Sequence, residues 1–308
     1  MRLAARPQRA DRHGTAWRRP ARLGRALLVA AALLAGAAIA ALAASPAGAR
    51  AVHFVRHPRP VPILVYHHVL STAGPYPLMN VSPWEFAAQL RWLRFHHYQP
   101  VTLGTVYDAW TGEGRLPAHP VVLTFDDGYV EQYTTAARML ARYHWPADLC
   151  LVVDRGTRLS HAMVVKMIKH GWELVSHTVH NPVLDHLPSA RLHYEVARSR
   201  RMLERSFHVK VRFFCYPGGD YDRRAVAAVR RAGYEAALGT RYAAAVPRER
   251  YVLPRISCYW GESLTAFGQR LRRTVAAVRT GAGPGRDLSL AAGPRTDAGE
   301  MGELAAEH

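Results

Sequence analysis

Cysteine is scarce in this chain. Of 308 residues only Cys150, Cys215 and Cys258 carry thiols, an odd number that cannot all pair, and none forms a Cys-x-x-Cys spacing. That leaves room for one disulfide at most, and small buried thiols are the expectation. Negative charge is also short, with 23 Asp and Glu against 41 Lys and Arg and a net charge of +18. The imbalance invites a nucleic-acid reading, but part of it is clustered in Arg2, Arg6, Arg9, Arg12, Arg18, Arg19, Arg22 and Arg25. A basic block directly before an apolar run is the inner flank of a membrane segment, so no nucleic-acid partner is expected. The remaining positive charge suits an anionic cell surface. No internal repeat is visible, and the length suits one large catalytic domain, such as a single α/β barrel of about 200 to 250 residues.

From Ala26 to Ala44 the residues are almost all Ala, Leu, Val, Ile and Gly, long enough to cross a bilayer as a helix. Ala47 and Ala49 then fit an Ala-x-Ala cleavage site. The chain therefore divides into a basic leader (1–25), a transmembrane anchor or signal peptide (26–49), a linker (50–60), a folded domain (61–278) and a disordered tail (279–308). The domain is expected to be exported, either anchored and facing away from the cytoplasm or secreted after cleavage. No Cys at the boundary supports a lipid attachment. A monomer is the default.

The chemistry centres on Val121-Val122-Leu123-Thr124-Phe125-Asp126-Asp127-Gly128-Tyr129. An apolar, β-branched run without polar alternation reads as a parallel strand buried on both faces. Catalytic groups in such folds collect where strands end, and this one ends in two carboxylates. Adjacent extended residues point opposite ways, so one Asp can hold a cation while the other handles protons. A haloacid-dehalogenase pattern needs Asp two places before Asp127, and Phe125 stands there.

Two further strand ends carry imidazoles. Val61 to Val69 is a short apolar strand running into His67 and His68, and Trp172 to Ser176 runs into His177, with His180 and Asn181 close behind. His177 and His180, with the Asp127 carboxylate, could hold one ion. Between these points strand and helix alternate. Ser82, Pro83 and Glu85 announce a helix with Phe86, Leu90 and Leu93 as its core stripe, closed by His96 and His97. Val101 to Leu103 reads as a strand, Glu131 to Tyr143 as an ordinary crossover helix, and Ser160 caps a helix stopped by Gly171. Leu192 to Phe207 marks another helix, Val211 to Cys215 a strand, Asp222 a helix cap and Glu235 to Leu238 a strand. Such βα alternation argues a parallel, barrel-like sheet.

Thr124-Phe125-Asp126-Asp127-Gly128, His177-Thr178, Tyr216-Pro217-Gly218-Gly219 and Leu253-Pro254-Arg255-Ile256 resemble the motif series of the polysaccharide deacetylases, the NodB homology fold of carbohydrate esterase family four. Tyr66-His67-His68-Val69, standing before the Asp pair, resembles the permuted branch that trims poly-N-acetylglucosamine. The resemblance covers roughly residues 61–271. It implies an α/β fold, a distorted (β/α) barrel of NodB type with fewer than eight repeats. It also implies an amide hydrolase that removes N-acetyl groups from an N-acetylglucosamine-containing polysaccharide. The implied cofactor is a divalent metal, zinc first, with cobalt or nickel as alternatives. Asp126 would be the general base and His67 the general acid. Asp127 and His177 would be metal ligands, and the Gly218 N–H an oxyanion donor. Tyr129, Tyr216, Pro217 and Arg255 are candidate substrate contacts, while Tyr221, Trp172 and Trp260 are stacking residues or core.

Three positions depart from the family pattern. The second family histidine falls at Asn181, with His180 one residue early, and the third ligand is open between them; Pro182 biases Asn181 toward extended backbone. Cys215 stands where many members have an Arg that orients the base, so Asp126 is expected to be held differently here. Gly218 replaces a frequent aromatic but keeps its N–H. Two other readings compete: a non-catalytic exported polysaccharide-binding or scaffold protein with a degenerate metal site, and a membrane-anchored nucleic-acid binder resting on the leader alone.

Overall fold

The computed structural model describes residues 58–154 and 159–279. The basic leader, the apolar segment 26–49, most of the linker and the tail from 280 onward lie outside these residues. Among the described residues no helix is long and apolar enough to cross a membrane. The span expected at Ala26 to Ala44 falls outside them.

The chain runs β1 (Ile63–Tyr66), β2 (His68–Val69), β3 (Asn80–Val81), α1 (Pro83–Phe95), β4 (Gln99–Pro100), α2 (Leu103–Trp110) and β5 (Pro120–Asp126). A π-turn, Gln132–Ala137, leads into α3 (Arg138–Ala141), then come β6 (Asp148–Leu151), α4 (His161–Lys169), β7 (Glu173–Ser176) and α5 (Ser189–His193). A second π-segment, Tyr194–Arg198, joins α5 to α6 (Ser199–Phe207), followed by β8 (Phe213–Cys215), α7 (Arg223–Arg231), β9 (Ala236–Leu238), β10 (Ile256–Ser257) and α8 (Leu264–Arg279). Eight strands form one parallel sheet in the order β10-β1-β5-β6-β7-β8-β9, with β4 beside β5.

Alternation along the strands builds two cores. Val122, Cys150, Val175, Phe213 and Ala236 turn to an inner cluster, into which α2 inserts Leu103, Val106 and Trp110. Leu123, Phe125, Leu149, Leu174 and Phe214 turn outward against the helices, including Phe86, Leu90 and Leu93 of α1. The sheet curls because one segment binds both its edges. Leu253 bridges to Leu238 of β9, and three residues on Ile256 pairs with Leu64 of β1. This is the distorted α/β barrel expected. All three cysteines are free and buried.

Helix α1 has the full capping box: Ser82 Oγ accepts from Glu85 N at 3.0 Å, and Glu85 Oε2 accepts from Ser82 N at 2.7 Å. Three expectations need correction. Val101 to Leu103 is not a strand, because Thr102 caps α2 and the buried Asp148 carboxyl group accepts the Leu103 N–H. The crossover after Asp127 is not a regular helix but opens with the π-turn, where the Gln132 side chain is diverted to the strand tips. Helix α8, with no counterpart in the sequence reading, packs on α1 through Phe267 against Trp92.

Candidate active site

Asp126 ends β5 and Asp127 begins the turn beyond it, with φ at +77°. Left-handed backbone is uncommon outside glycine, and it sends Asp127 away from Asp126. Gly128 follows at φ +84°, where a Cβ would meet Leu151 Cδ1 at 2.5 Å, so the turn requires glycine twice over.

Asp126 is buried and paired. Arg255 Nη1 donates to its Oδ1 at 2.7 Å and Nη2 to its Oδ2 at 2.8 Å, a two-pronged charge-assisted contact. The guanidinium is itself held by Gly239 O at 2.8 Å and Thr124 Oγ1 at 3.1 Å. His67 Nε2 lies 3.8 Å from Asp126 Oδ2, and the Cys215 thiol donates to the same oxygen at 3.5 Å. Gln132 Nε2 donates to the carbonyls of both His67 and Asp126, tying the tips of β1 and β5 together. Burial works against the charge on Asp126, but Arg255, with His177 and His67, outweighs it and holds the carboxyl well below its ordinary range.

His67 behaves otherwise than its carboxylate neighbours suggest. Burial dominates and lowers its pKa, Arg255 and His177 push the same way, and Asp126 and Asp127 recover only part. The two carboxylates therefore do not draw His67 into its charged form.

Asp127 faces the second cluster. His177 Nε2 lies 3.8 Å from Asp127 Oδ1, and Asn181 Nδ2 donates to that oxygen at 3.2 Å. His177 Nδ1–H donates to Cys215 O at 2.9 Å, which fixes the ring and leaves Nε2 as the coordinating atom, the usual support for a metal-binding imidazole. Burial alone would depress His177; Cys215 and the two carboxylates reverse this and push its pKa up to about 9. A cation entering here displaces that proton. Asn181 Oδ1 is buried without a hydrogen-bond partner. The Asp127 carboxylate beside His177 Nε2, with the Asn181 amide against the same carboxylate and its oxygen unmet, supplies donor types that fit a divalent ion.

His180 is not brought to this point. Its Nδ1 sits 2.8 Å from Glu195 Oε1 and its Nε2 3.7 Å from Asp154 Oδ2. Glu195, fully buried, also accepts the N–H groups of Val179 and His180 at 2.9 Å each. Nor is Asn181 extended as Pro182 suggested: its φ is +63°, with its N–H on Thr178 Oγ1 at 2.8 Å, closing a tight turn. Thr178 is left-handed too, at +67°. Such backbone in a β-branched residue is strained, and strain of this kind gathers at functional sites.

Gly218 lies exposed in the turn Pro217–Gly219, at φ +63°. Gly219 admits no side chain, since a Cβ would fall 2.0 Å from Thr240 Oγ1. Tyr129, half-buried, packs on His68 with ring centroids 3.6 Å apart. Three of the expected substrate contacts are interior instead. Tyr216 spends its hydroxyl on Tyr251 O at 3.0 Å, Pro217 is buried beside it, and Arg255 is 1% exposed beneath Asp126. Trp172 is core, against Phe125. Arg255, Gln132 and Glu195 are the site residues that sequence reasoning missed or misassigned. Only Arg255 left a signal, two residues after Leu253 and so on its inward-facing side.

Among the described residues a further donor group lies below: one ligand atom each of Asp126, Cys150 and Cys215 fall within 4.8 Å of one another. Its carboxylate is already taken by Arg255.

Known proteins resemble this chain in sequence and in fold. Residues 113–237 match the family described as Polysaccharide deacetylase. The Bacillus subtilis (strain 168) protein YxkH, whose name places it provisionally among polysaccharide deacetylases, is 28% identical over 215 residues, 68% of this chain and 76% of that protein. The poly-β-1,6-N-acetyl-D-glucosamine N-deacetylase of Staphylococcus epidermidis is 25% identical over 227 residues, 68% of this chain and 78% of its own. The fold is shared with the Streptococcus pyogenes deacetylase PplD, solved in complex with acetate, at a TM-score of 0.64 and 22% identity, covering 71% of this chain and 99% of that one. The match to the polysaccharide deacetylase family thus spans residues 113–237, and the relatives and the solved structure that this chain resembles carry deacetylase names.

Proposed function

We propose that this chain is an exported, metal-dependent N-deacetylase acting on an N-acetylglucosamine polysaccharide of the poly-β-1,6 kind. The observation that carries the reading is the meeting of Asp127, His177 and Asn181 at the strand tips beside an Asp126 held ionised by Arg255. The name of the staphylococcal relative supports the substrate class. The basic leader and apolar segment 26–49 support export, by anchoring or by cleavage.

A divalent ion held by Asp127, His177 and the residue-180/181 loop, zinc or else cobalt or nickel, would supply a water of near-neutral pKa and polarise an acetamide carbonyl. Asp126 stays charged and accepts the proton of the attacking water. Gly218 N–H, on the exposed turn, donates to the oxygen that gains charge in the tetrahedral state. His67 hands a proton to the departing amine; its lowered pKa makes the imidazolium a strong acid. Tyr129 offers a ring beside these groups for a sugar face.

The test is acetate release from β-1,6-linked N-acetylglucosamine oligomers by the full-length protein, with chelator and after return of each ion. Release is expected to stop with chelator and resume with the ion. Asp127→Ala should lose ion and turnover together, and Asp126→Ala should keep the ion and lose turnover. Turnover retained in either variant contradicts the assigned roles. Oligomer binding without acetate release under every ion would leave only the non-catalytic reading.

A further inference from the structure

We propose that the third protein ligand of the ion is the side-chain oxygen of Asn181 and not His180, and that this oxygen-rich set selects harder ions such as manganese(II) over zinc, relative to a two-histidine set. The proposal rests on the metal-dependent reading above and deepens it.

Three observations converge. Asn181 already touches Asp127 through its amide nitrogen, and its Oδ1 is buried with no hydrogen-bond partner, an acceptor that stays costly until something binds it. The two ends of an amide exchange by a half turn about χ2, so a bound ion can draw the oxygen to the place beside Asp127 that the nitrogen now takes. The backbone at 181 is left-handed, and asparagine is among the side chains that tolerate this best.

His180 is held elsewhere by contacts that cannot follow it. Glu195 binds its ring, its backbone N–H and the N–H of Val179, and Arg191 Nε closes on Glu195 Oε1 at 2.8 Å. The ring also lies parallel to Tyr194, with centroids 6.0 Å apart. Turning His180 toward Asp127 would strip its bond from the fully buried Glu195 side chain. The resulting donors are two oxygens and one imidazole. Carboxylate, carbonyl and water oxygens suit manganese and magnesium, whereas added imidazole suits zinc.

The test is direct ion binding by the full chain, stripped by chelator and dialysis. Manganese(II) is followed by its electron paramagnetic resonance signal and zinc by competition calorimetry, with melting curves confirming that each variant folds. Asn181→Ala should weaken manganese binding about 10- to 100-fold, while His180→Ala should stay within about threefold of the parent. Asn181→His should raise the zinc-to-manganese affinity ratio by about tenfold or more. If His180→Ala weakens the ion and Asn181→Ala does not, the ligand assignment is overturned and the metal-dependent reading survives. An unchanged ratio in Asn181→His overturns the selectivity. If the parent chain binds no ion, or Asp127→Ala binds as well as the parent, the metal-dependent reading falls and this one with it.

Discussion

Arg255→Met removes the guanidinium beneath Asp126 and leaves the carboxylate buried where it was. Two charge-assisted bonds at 2.7 and 2.8 Å disappear, along with the bonds that held Arg255 to Gly239 and Thr124. Methionine fills a similar length but cannot balance charge, and losing one partner of a buried ion pair costs about 3–5 kcal/mol. For a domain of this size that lowers the melting temperature by roughly 6–20 °C. The second consequence is chemical. Burial, which already opposes the charge on Asp126, is then countered only by His177 and His67, so the carboxyl pKa rises. At neutral pH the variant forfeits up to about 10²–10⁴-fold, the span of general-base catalysis, and its deficit relative to the parent shrinks as pH increases. Denaturant unfolding and a kcat/KM profile from pH 4 to 9 measure both effects. Adding Asp126→Asn should restore stability toward the parent, because the unbalanced charge is gone. A variant with parental stability and an unmoved acid limb would refute the reasoning.

Two further outcomes concern pH. His67 has to carry a proton to protonate an amine, and its pKa is lowered from 6.5, so kcat/KM should fall as pH rises through a value below 6.5. Loss of that limb in His67→Ala checks the assignment, and a limb above 6.5 in the parent contradicts it. Glu262, buried and 2.6 Å from Arg270, has its pKa raised by burial from 4.5 to about 7, against the pull of Arg270. A raised folded pKa stabilises the fold fully below pH 4.5 and loses that contribution as pH rises through 7, a swing on the order of 3 kcal/mol. Glu262→Gln should flatten the fall in unfolding free energy over that window, and an equal slope in both proteins would refute the attribution.

How much of this was legible depends on distance along the chain. The strand ending in Asp126 could be read directly, because the apolar, β-branched run Val121 to Phe125 has no polar alternation and Asp-Asp-Gly closes it. Helix α1 could be read from Ser82, Pro83 and Glu85, whose capping bonds are all local. Helix α8 could not, since its anchor is the contact of Phe267 with Trp92 from a distant part of the chain. The 180/181 loop shows the boundary sharply. Both side chains have workable spacing from His177, and what separates them is Glu195, fifteen residues past His180, reaching in from another element.

Local pattern thus determined by itself the alternation of strands and helices, the placement of two carboxylates at one strand tip and imidazoles at two others, and the class of chemistry such tips carry. Only the tertiary structure decided which groups surround them. Arg255 stands 129 residues from Asp126 and reaches it because Leu253 and Ile256 bind opposite edges of the curled sheet. Ionisation and ligand choice are fixed by burial and by partners brought close through closure of the barrel, and neither is a property of neighbours in sequence.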